Sequence, residues 1–257
     1  LLLGRLEDAG VRAVFFVTGH NKLDGKGRHL LQSWNDKGHR IANHTFSHPN
    51  YNSEQVSAEA FAAEFLKNDS LIRAYSQFLP LFRFPYLKEG NTVGKVTAFR
   101  ALMQAQGYQN GYVTIDASDW YIDSRLNQRL RENPEADISG YRQYYLDHLL
   151  DRATYYETLA YDLTGRHIRH TLLLHHNLAA ALFLDDLVAL FREKGWQVID
   201  ADTAFEDPIF EASPAPEFVG ESLIWSLAKA NGRLAKDLRY PAEDSRYEKE
   251  KMDVLGL

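Results

Sequence analysis

Residues 39–49 read His39-Arg40-Ile41-Ala42-Asn43-His44-Thr45-Phe46-Ser47-His48-Pro49. A strand-like run ends at Asn43 and leads into two histidines four residues apart, with a proline directly after the second. Neutral imidazole is the commonest metal ligand among side chains, and two imidazoles at this spacing can bind one divalent ion if the chain turns back between them. Catalytic metal sites usually take about three protein ligands and keep one position for water. His44 and His48 are therefore candidate metal ligands that need a third.

Strand-like and helix-like segments alternate on both sides of this stretch. The pattern predicts strands at 11–19, 39–45, 81–86, 111–116, 170–175 and 196–200. It predicts helices at 26–37, 57–78, 93–106, 140–163 and 178–194. This alternation indicates an α/β fold with parallel strands, and we expect a seven- or eight-stranded α/β barrel rather than an open sheet. In such barrels the chemistry lies where the strands end.

The predicted barrel covers residues 1–205, with an insertion-like segment at about 121–169. Prolines at 208, 214 and 216 mark a loop after it. We expect residues 206–257 to form an extension packed on the barrel, with a helix at 220–238 and an irregular remainder at 239–257. Residues 1–10 read as a helix that ends at a glycine C-cap. We therefore expect the first barrel strand to precede Leu1.

The composition excludes several classes of protein. The chain has 257 residues and a formal net charge of −6, with scattered basic residues, so no nucleic-acid-binding surface is expected. It has no cysteine, which excludes disulfides and thiolate metal ligands. No apolar run reaches the roughly 18 residues of a membrane-spanning helix. The oligomeric state is left open.

Three further polar clusters lie at the C-terminal ends of predicted strands. They are Arg83-Phe84-Pro85-Tyr86, Asp116-Ala117-Ser118-Asp119-Trp120 and Leu173-Leu174-His175. Because parallel strands of a barrel end on one rim, these clusters should meet the histidine pair there. Imidazoles, carboxylates and a guanidinium on one rim are the equipment of a metal-assisted hydrolase.

These segments resemble the motif set of the polysaccharide deacetylases, the family with the NodB homology domain. The family's H-[ST]-x-x-H-P pattern matches residues 44–49, R-x-P-Y matches 83–86, D-x-x-D-W matches 116–120 and L-x-H matches 173–175. Their order and spacing also fit, over roughly residues 1–205. The resemblance implies a distorted (β/α) barrel that removes N- or O-acetyl groups from a glycan. It also implies a divalent metal ion, with zinc expected, and a periplasmic or secreted location.

The resemblance assigns a role to each matched residue. His44 and His48 would bind the ion, Arg83 would hold the catalytic base, and His175 would protonate the leaving group. A carboxylate beside His175 would raise its pKa, and Asp116 is our first choice for it, with Asp119 second. The substrate-binding residues would be Pro85, Tyr86, Trp120 and Leu173, and a backbone N–H near Tyr86 would stabilise the oxyanion.

Some family features are missing or altered. The T-F-D-D motif, whose aspartates supply the family's base and third metal ligand, is absent from the chain, and we expect it upstream of Leu1. Ala42 and Leu87 stand where the family often has glycine.

Two alternatives to a glycan deacetylase stay open. The first is a catalytically inactive carbohydrate-binding protein of the same fold, since the base is missing from the chain. The second is an amidohydrolase that acts on a small non-sugar amide, since relatives of this fold process such substrates.

Overall fold

A computed structural model of the chain describes residues 1–232, 238 and 245–257. Its sheet is parallel, and the strands are ordered in space as in the chain. The strands are β1 (Val14–Val17), β2 (Arg40–Asn43), β3 (Phe78–Phe82) and β4 (Gln109–Asn110). An isolated parallel bridge between Ile115 and Leu172 continues the pairing beyond β4. The predicted α/β fold with parallel strands is confirmed, as a distorted barrel.

The helices cover the sheet and the continuation of the barrel wall. They are α1 (Leu2–Asp8), α2 (Gly25–Asp36), α3 (Ala58–Ile72), α4 (Val93–Ala105), α5 (Asp119–Glu132), α6 (Ser139–Thr164), α7 (Leu178–Glu193), α8 (Ala201–Phe205), α9 (Leu223–Ala230) and α10 (Ser245–Leu255). None of the helices in the described ranges is long and apolar enough to span a membrane.

The later strands of the barrel are less regular than predicted. Within the described residues, the strands predicted at 111–116 and 170–175 are joined to each other by a single bridge, between Ile115 and Leu172. The strand predicted at 196–200 is wrong, since these residues join no strand pair within the described part of the chain. A strand needs a neighbour at hydrogen-bonding distance along its edge. This segment instead borders an apolar slot beside β1.

Two helix predictions are also corrected, and one further helix was not predicted. Helix α3 ends at Ile72 rather than at residue 78, because β3 already begins at Phe78. The segment at 121–169 contains α5, which begins at Asp119 and was not predicted. In the extension, the predicted helix at 220–238 is the shorter α9, and residues 233–237 lie outside the described residues.

The irregular remainder predicted at 239–257 is wrong over its second half, which forms α10. Residues 239–244 lie outside the described residues. The buried face of α10 carries Glu248 and Met252. Glu248 accepts a 2.8 Å hydrogen bond from Arg152 of α6, and both side chains are fully buried. The buried Glu248 interrupts the hydrophobic pattern of this face, because pattern analysis treats Glu as a surface residue. The helix was therefore not predicted.

An apolar slot lies between the outer edge of β1 and the segment around Leu172. The carbonyls of Ala13 and Val17 accept hydrogen bonds from the N–H groups of Arg40 and His44. Because successive residues of a strand direct their backbone groups to opposite sides, the N–H and C=O groups of Val14 and Phe16 face the slot. Leu172 faces it from the other side, because its neighbours at 171 and 173 bond to Ile115. Among the described residues no backbone hydrogen bond reaches Val14 or Phe16 from the slot side. The slot has a volume of about 260 Å³.

An aromatic cluster supports the loop that follows β3. Phe61 of α3 stacks on Tyr51 with ring centroids 4.0 Å apart and contacts Phe84 and Phe99. Phe84 lies within the Arg83 to Tyr86 motif, so the packing of this cluster supports the motif at the end of β3.

Truncation of Phe61 tests this support. Phe61→Ala should lower the free energy of unfolding by about 3–5 kcal/mol, since the ring is fully buried and its loss leaves a cavity. Urea denaturation would measure the change. Leu66→Ala on the same helix, where the side chain is 41% exposed, should cost less than about 1 kcal/mol. Equal losses in the two variants would contradict the role of the cluster.

Candidate active site

The histidine pair closes on itself at the end of β2. The Nε2 atoms of His44 and His48 lie 3.1 Å apart. The turn between them places Thr45 and His48 in the left-handed region, both with φ of 64°, which is uncommon for residues with a side chain and rare for a β-branched one. Two hydrogen bonds fix this turn, from the Thr45 N–H to Asn43 Oδ1 and from the His48 N–H to Thr45 Oγ1. The backbone strain is what turns both imidazoles toward one point.

The pair is held neutral with a lone pair available. His44 Nδ1 lies 2.7 Å from the carbonyl of Arg83 and donates to it, so Nε2 is the free acceptor. Burial, helped by the nearby charge of His48, lowers the pKa of His44 to about 3. Burial and the charge of His175 also lower the pKa of His48.

Two nitrogens bound to one tetrahedral zinc at about 2.0–2.1 Å would lie about 3.3 Å apart. The His44–His48 distance of 3.1 Å therefore suits two ligands of one ion. Across residues 1–232, 238 and 245–257, no group of three His, Cys, Asp or Glu side chains is arranged to hold a metal ion. The pair fits as part of a metal site, and the described residues do not complete it.

Arg83 follows β3 and is buried beside the pair. Its Nε donates a 2.8 Å hydrogen bond to the Gly111 carbonyl, and its guanidinium lies 4.0 Å above the Phe16 ring. Burial lowers the pKa of Arg83 to about 9, and the charge of Asp116 opposes this shift. In the described ranges no carboxylate hydrogen-bonds to this guanidinium. Arg83 lines both the apolar slot and the cavity at the rim, so it stands where the two meet.

The carboxylate beside His175 is Asp119, which corrects our first choice of Asp116. Asp119 Oδ1 lies 2.7 Å from His175 Nδ1, and Oδ2 accepts from the His175 backbone N–H at 2.9 Å. Asn177 donates a third hydrogen bond to Asp119 at 3.0 Å. Partial burial alone would lower the pKa of His175, but the hydrogen bond and charge of Asp119 outweigh it, so the net pKa is raised.

Asp116 is buried at the rim without touching His175. Its Oδ1 accepts from the Ala117 N–H at 3.0 Å. Burial raises the pKa of Asp116 to about 7, and the charge of Glu221 adds to the shift while the Ala117 hydrogen bond opposes it. Its charge reaches Arg83 and His175 only through space.

A cavity of about 470 Å³ joins these groups into one site. Two aromatic side chains stand at its edge, Tyr86 and Trp120, which are 59% and 43% exposed. The residues that line it are His44, His48, Asn50, Arg83, Phe84, Tyr86, Leu87, Lys88, Asp116, Ala117, Trp120, Leu173 and His175. The predicted substrate-binding residues Tyr86, Trp120 and Leu173 therefore share the cavity with the histidines, whereas Pro85 is buried behind it.

Part of the chain is similar in sequence to known proteins. Residues 2–110 match the family model described as Polysaccharide deacetylase. This part of the chain therefore resembles the polysaccharide deacetylase family. A peptidoglycan-N-acetylglucosamine deacetylase from Bacillus cereus is 30% identical over 86 residues, which is 33% of this chain and 30% of that protein. The matched part thus spans under a third of that relative's length.

Several solved structures share the fold of the chain. The peptidoglycan deacetylase PdaC from Bacillus subtilis aligns with a TM-score of 0.54 at 18% identity, over 80% of this chain and 81% of the other. A family 4 carbohydrate esterase from Streptomyces lividans gives 0.52 at 18% identity, over 79% and 86%. A pseudoenzyme of the same family from Bacillus anthracis gives 0.51 at 19% identity, over 80% and 61%. Enzymes and a pseudoenzyme therefore share this fold, and the fold alone does not decide activity.

Sequence reasoning missed three residues at or beside the site. Asn177, which hydrogen-bonds Asp119, is also the N-cap of α7, and its position just before an apolar periodic run was a usable signal. Lys88 and Glu221 form a 2.9 Å ion pair at the cavity wall. They are 133 positions apart, so no local pattern could have joined them.

Replacing each of the two carboxylates in turn tests which one raises the pKa of His175. Asp119→Asn should lower the pKa of His175 clearly, because it removes the charge and weakens the hydrogen bond. Asp116→Asn should lower it less, since Asp116 acts only through space. Titration of the imidazole by NMR would measure both. A larger effect of Asp116→Asn would reverse the assignment.

Proposed function

We propose that the chain is a metal-dependent hydrolase that removes acetyl groups from a glycan, with N-acetylglucosamine polymers as the substrate class. The observation that carries this proposal is the cavity that brings a neutral histidine pair, a buried arginine and a carboxylate-oriented histidine to one rim. The match of residues 2–110 to the polysaccharide deacetylase model supports the reaction type. The Bacillus cereus relative, named as a peptidoglycan-N-acetylglucosamine deacetylase, supports the substrate class.

His44 and His48 would hold a divalent ion, with zinc as the expected species. Such an ion, when bound, polarises the acetyl carbonyl and acidifies a bound water. The Nδ1–H of His44 is fixed on the Arg83 carbonyl, which keeps its ring orientation and tautomer constant.

The protein's own groups would manage the leaving group and the oxyanion. His175 donates the proton to the departing amine or alkoxide, and Asp119 keeps it charged for this step. The backbone N–H of Tyr86 would donate to the oxyanion, since Tyr86 lines the cavity and this N–H meets no partner in the described part of the chain. Trp120 and Leu173 would contact the acetyl methyl and the sugar face.

The site needs one more carboxylate, which would complete the coordination of the metal ion and activate the water. Two features support a position beside Arg83. A buried cation without a carboxylate partner is costly, so an anion at its free guanidinium nitrogens would be stabilised. The apolar slot also leads to Arg83 between backbone edges that are open on the β1 side. A carboxylate entering there would reach both Arg83 and the histidine pair.

A carbohydrate-binding protein without turnover is the second candidate. It is favoured by the absence of a three-ligand metal group from the described residues. The aromatic rim of Tyr86 and Trp120 would serve binding in either case.

Zinc binding tests the histidine pair. We expect isothermal titration calorimetry to show one zinc ion per chain, and His44→Ala with His48→Ala to abolish it, because the two Nε2 ligands are removed together. His29→Ala with His167→Ala, two exposed histidines outside the cavity, is the matched control and should leave binding unchanged. Unchanged stoichiometry in the first double variant would exclude the metal assignment.

Turnover tests the role of His175. Acetate release from chitooligosaccharides should fall about a hundredfold in His175→Ala, the usual scale for loss of a general acid. His176→Ala is the control, because this neighbouring ring packs on Phe15 and Trp34 away from the cavity, and should change turnover less than about threefold. The alkaline limb of kcat should lie above the ordinary histidine range, since the pKa of His175 is raised and the acid is lost as pH rises through it.

The same assay separates the two candidates. Oligosaccharide binding without acetate release, in protein that binds zinc, would favour the binding protein over the enzyme. An effect of His175→Ala below about threefold in active protein would remove His175 from the acid role.

A further inference from the structure

The loop after β3 holds an unfavourable backbone conformation at the cavity. Tyr86 and Leu87 are consecutive residues in the left-handed region, with φ of 56° and 58°. Side chains disfavour this region, and such strain persists only where the surroundings hold it. Two turn hydrogen bonds, from Leu87 to the Phe84 carbonyl and from Lys88 to the Pro85 carbonyl, are both local to the strained segment. An anchor outside the loop is therefore needed.

Lys88 supplies that anchor from the end of the strained pair. Its Nζ donates to the Gly220 carbonyl at 2.7 Å and to Glu221 Oε1 at 2.9 Å. The Lys88 and Glu221 side chains are only 23% and 16% exposed, so solvent competes weakly with the pair. We call this contact, formed by Lys88, Gly220 and Glu221, the 88–221 latch.

The far side of the latch is itself fixed in place. Gly220 has φ of 100°, where a side chain would be strained, and a Cβ there would meet Lys88 Cδ at 3.6 Å. Directly after Glu221, Ser222 caps α9 and the Leu223 N–H bonds to the Val113 carbonyl at 2.7 Å. The latch thus ties the strained loop to the start of α9, which is held against the barrel wall.

The strained loop carries groups that the active site uses. The Tyr86 ring packs edge-on against His48 with centroids 4.6 Å apart. Tyr86, Leu87 and Lys88 all line the cavity. Any relaxation of the loop would move the Tyr86 ring and backbone N–H away from the histidine pair.

We propose that Lys88 and Glu221 are positioning residues, and that the 88–221 latch holds the Tyr86 loop in its strained conformation against His48. The segment that follows the barrel thereby becomes part of the active site. The catalytic consequence rests on the proposed function, because it assumes that the Tyr86 N–H donates to the oxyanion. The mechanical consequence, a restrained loop, does not depend on turnover.

Hydrogen exchange followed by mass spectrometry tests the latch directly. In Lys88→Met and in Glu221→Gln, the peptide that covers residues 84–88 should exchange at least about tenfold faster than in the unaltered chain, because local opening becomes easier. The double variant should exchange no faster than the single ones, since each removes the same contact. Lys88→Arg keeps a charged donor and should restore protection. Lys194→Met, which breaks an exposed pair with Glu193, is the control and should leave this peptide unchanged.

Steady-state kinetics give a second measurement, because a purely structural role would not lower kcat selectively. Lys88→Met and Glu221→Gln should lower kcat about tenfold with KM changed less than about twofold, because the displaced N–H acts mainly on the transition state. Unchanged exchange of residues 84–88 in both variants would overturn the latch. If the unaltered chain releases no acetate, the proposed function fails while the exchange data still decide the latch. Should Lys88→Met fail to fold, Glu221→Gln carries the same test, since it replaces a single oxygen.

Discussion

The Asp119 carboxylate connects the two ends of the irregular barrel wall. It is fully buried and accepts three hydrogen bonds, two from His175 and one from Asn177. Asp119 begins α5, and Asn177 caps α7, so this one side chain ties two helix starts together. In this region the described strands pair by a single bridge. Side-chain hydrogen bonds therefore hold these segments together, as the regular strand ladder does from β1 to β3. The orientation and charge of His175 follow from the same contact.

The charges at the rim are unbalanced, because the buried Arg83 has no carboxylate partner among the described residues. Its side chain hydrogen-bonds to a backbone carbonyl and, in the described ranges, to no carboxylate. The two metal-ligand candidates are neutral imidazoles with lowered pKa values. Asp119 is committed to His175, and Asp116 has a pKa raised to about 7, chiefly by burial. A site of this kind favours an added carboxylate beside Arg83, and its neutral imidazoles keep their lone pairs available for a divalent ion.

Much of the site could be predicted because its residues lie in short motifs at strand ends. The histidine pair, Arg83, Tyr86, Trp120 and His175 share the cavity as the barrel argument requires. The choice between Asp116 and Asp119 could not be made, since both stand within five residues of sequence after one strand. Asp119 starts a helix, and this turn of the chain directs its carboxylate to His175 while Asp116 stays behind on the rim. Helix α10 was missed because a buried Glu248–Arg152 pair occupies the face where a hydrophobic stripe was sought.

The sequence by itself determined the α/β class, the order of the main elements and the identity of the polar residues at the rim, because periodicity and local motifs act over a few residues. Only the tertiary structure decided which carboxylate orients His175, and that Lys88 meets Glu221 across 133 positions. It alone also revealed the open slot beside β1. These features depend on how distant segments pack around shared hydrogen bonds, and the packing of one segment on another is not encoded in the pattern of either segment alone.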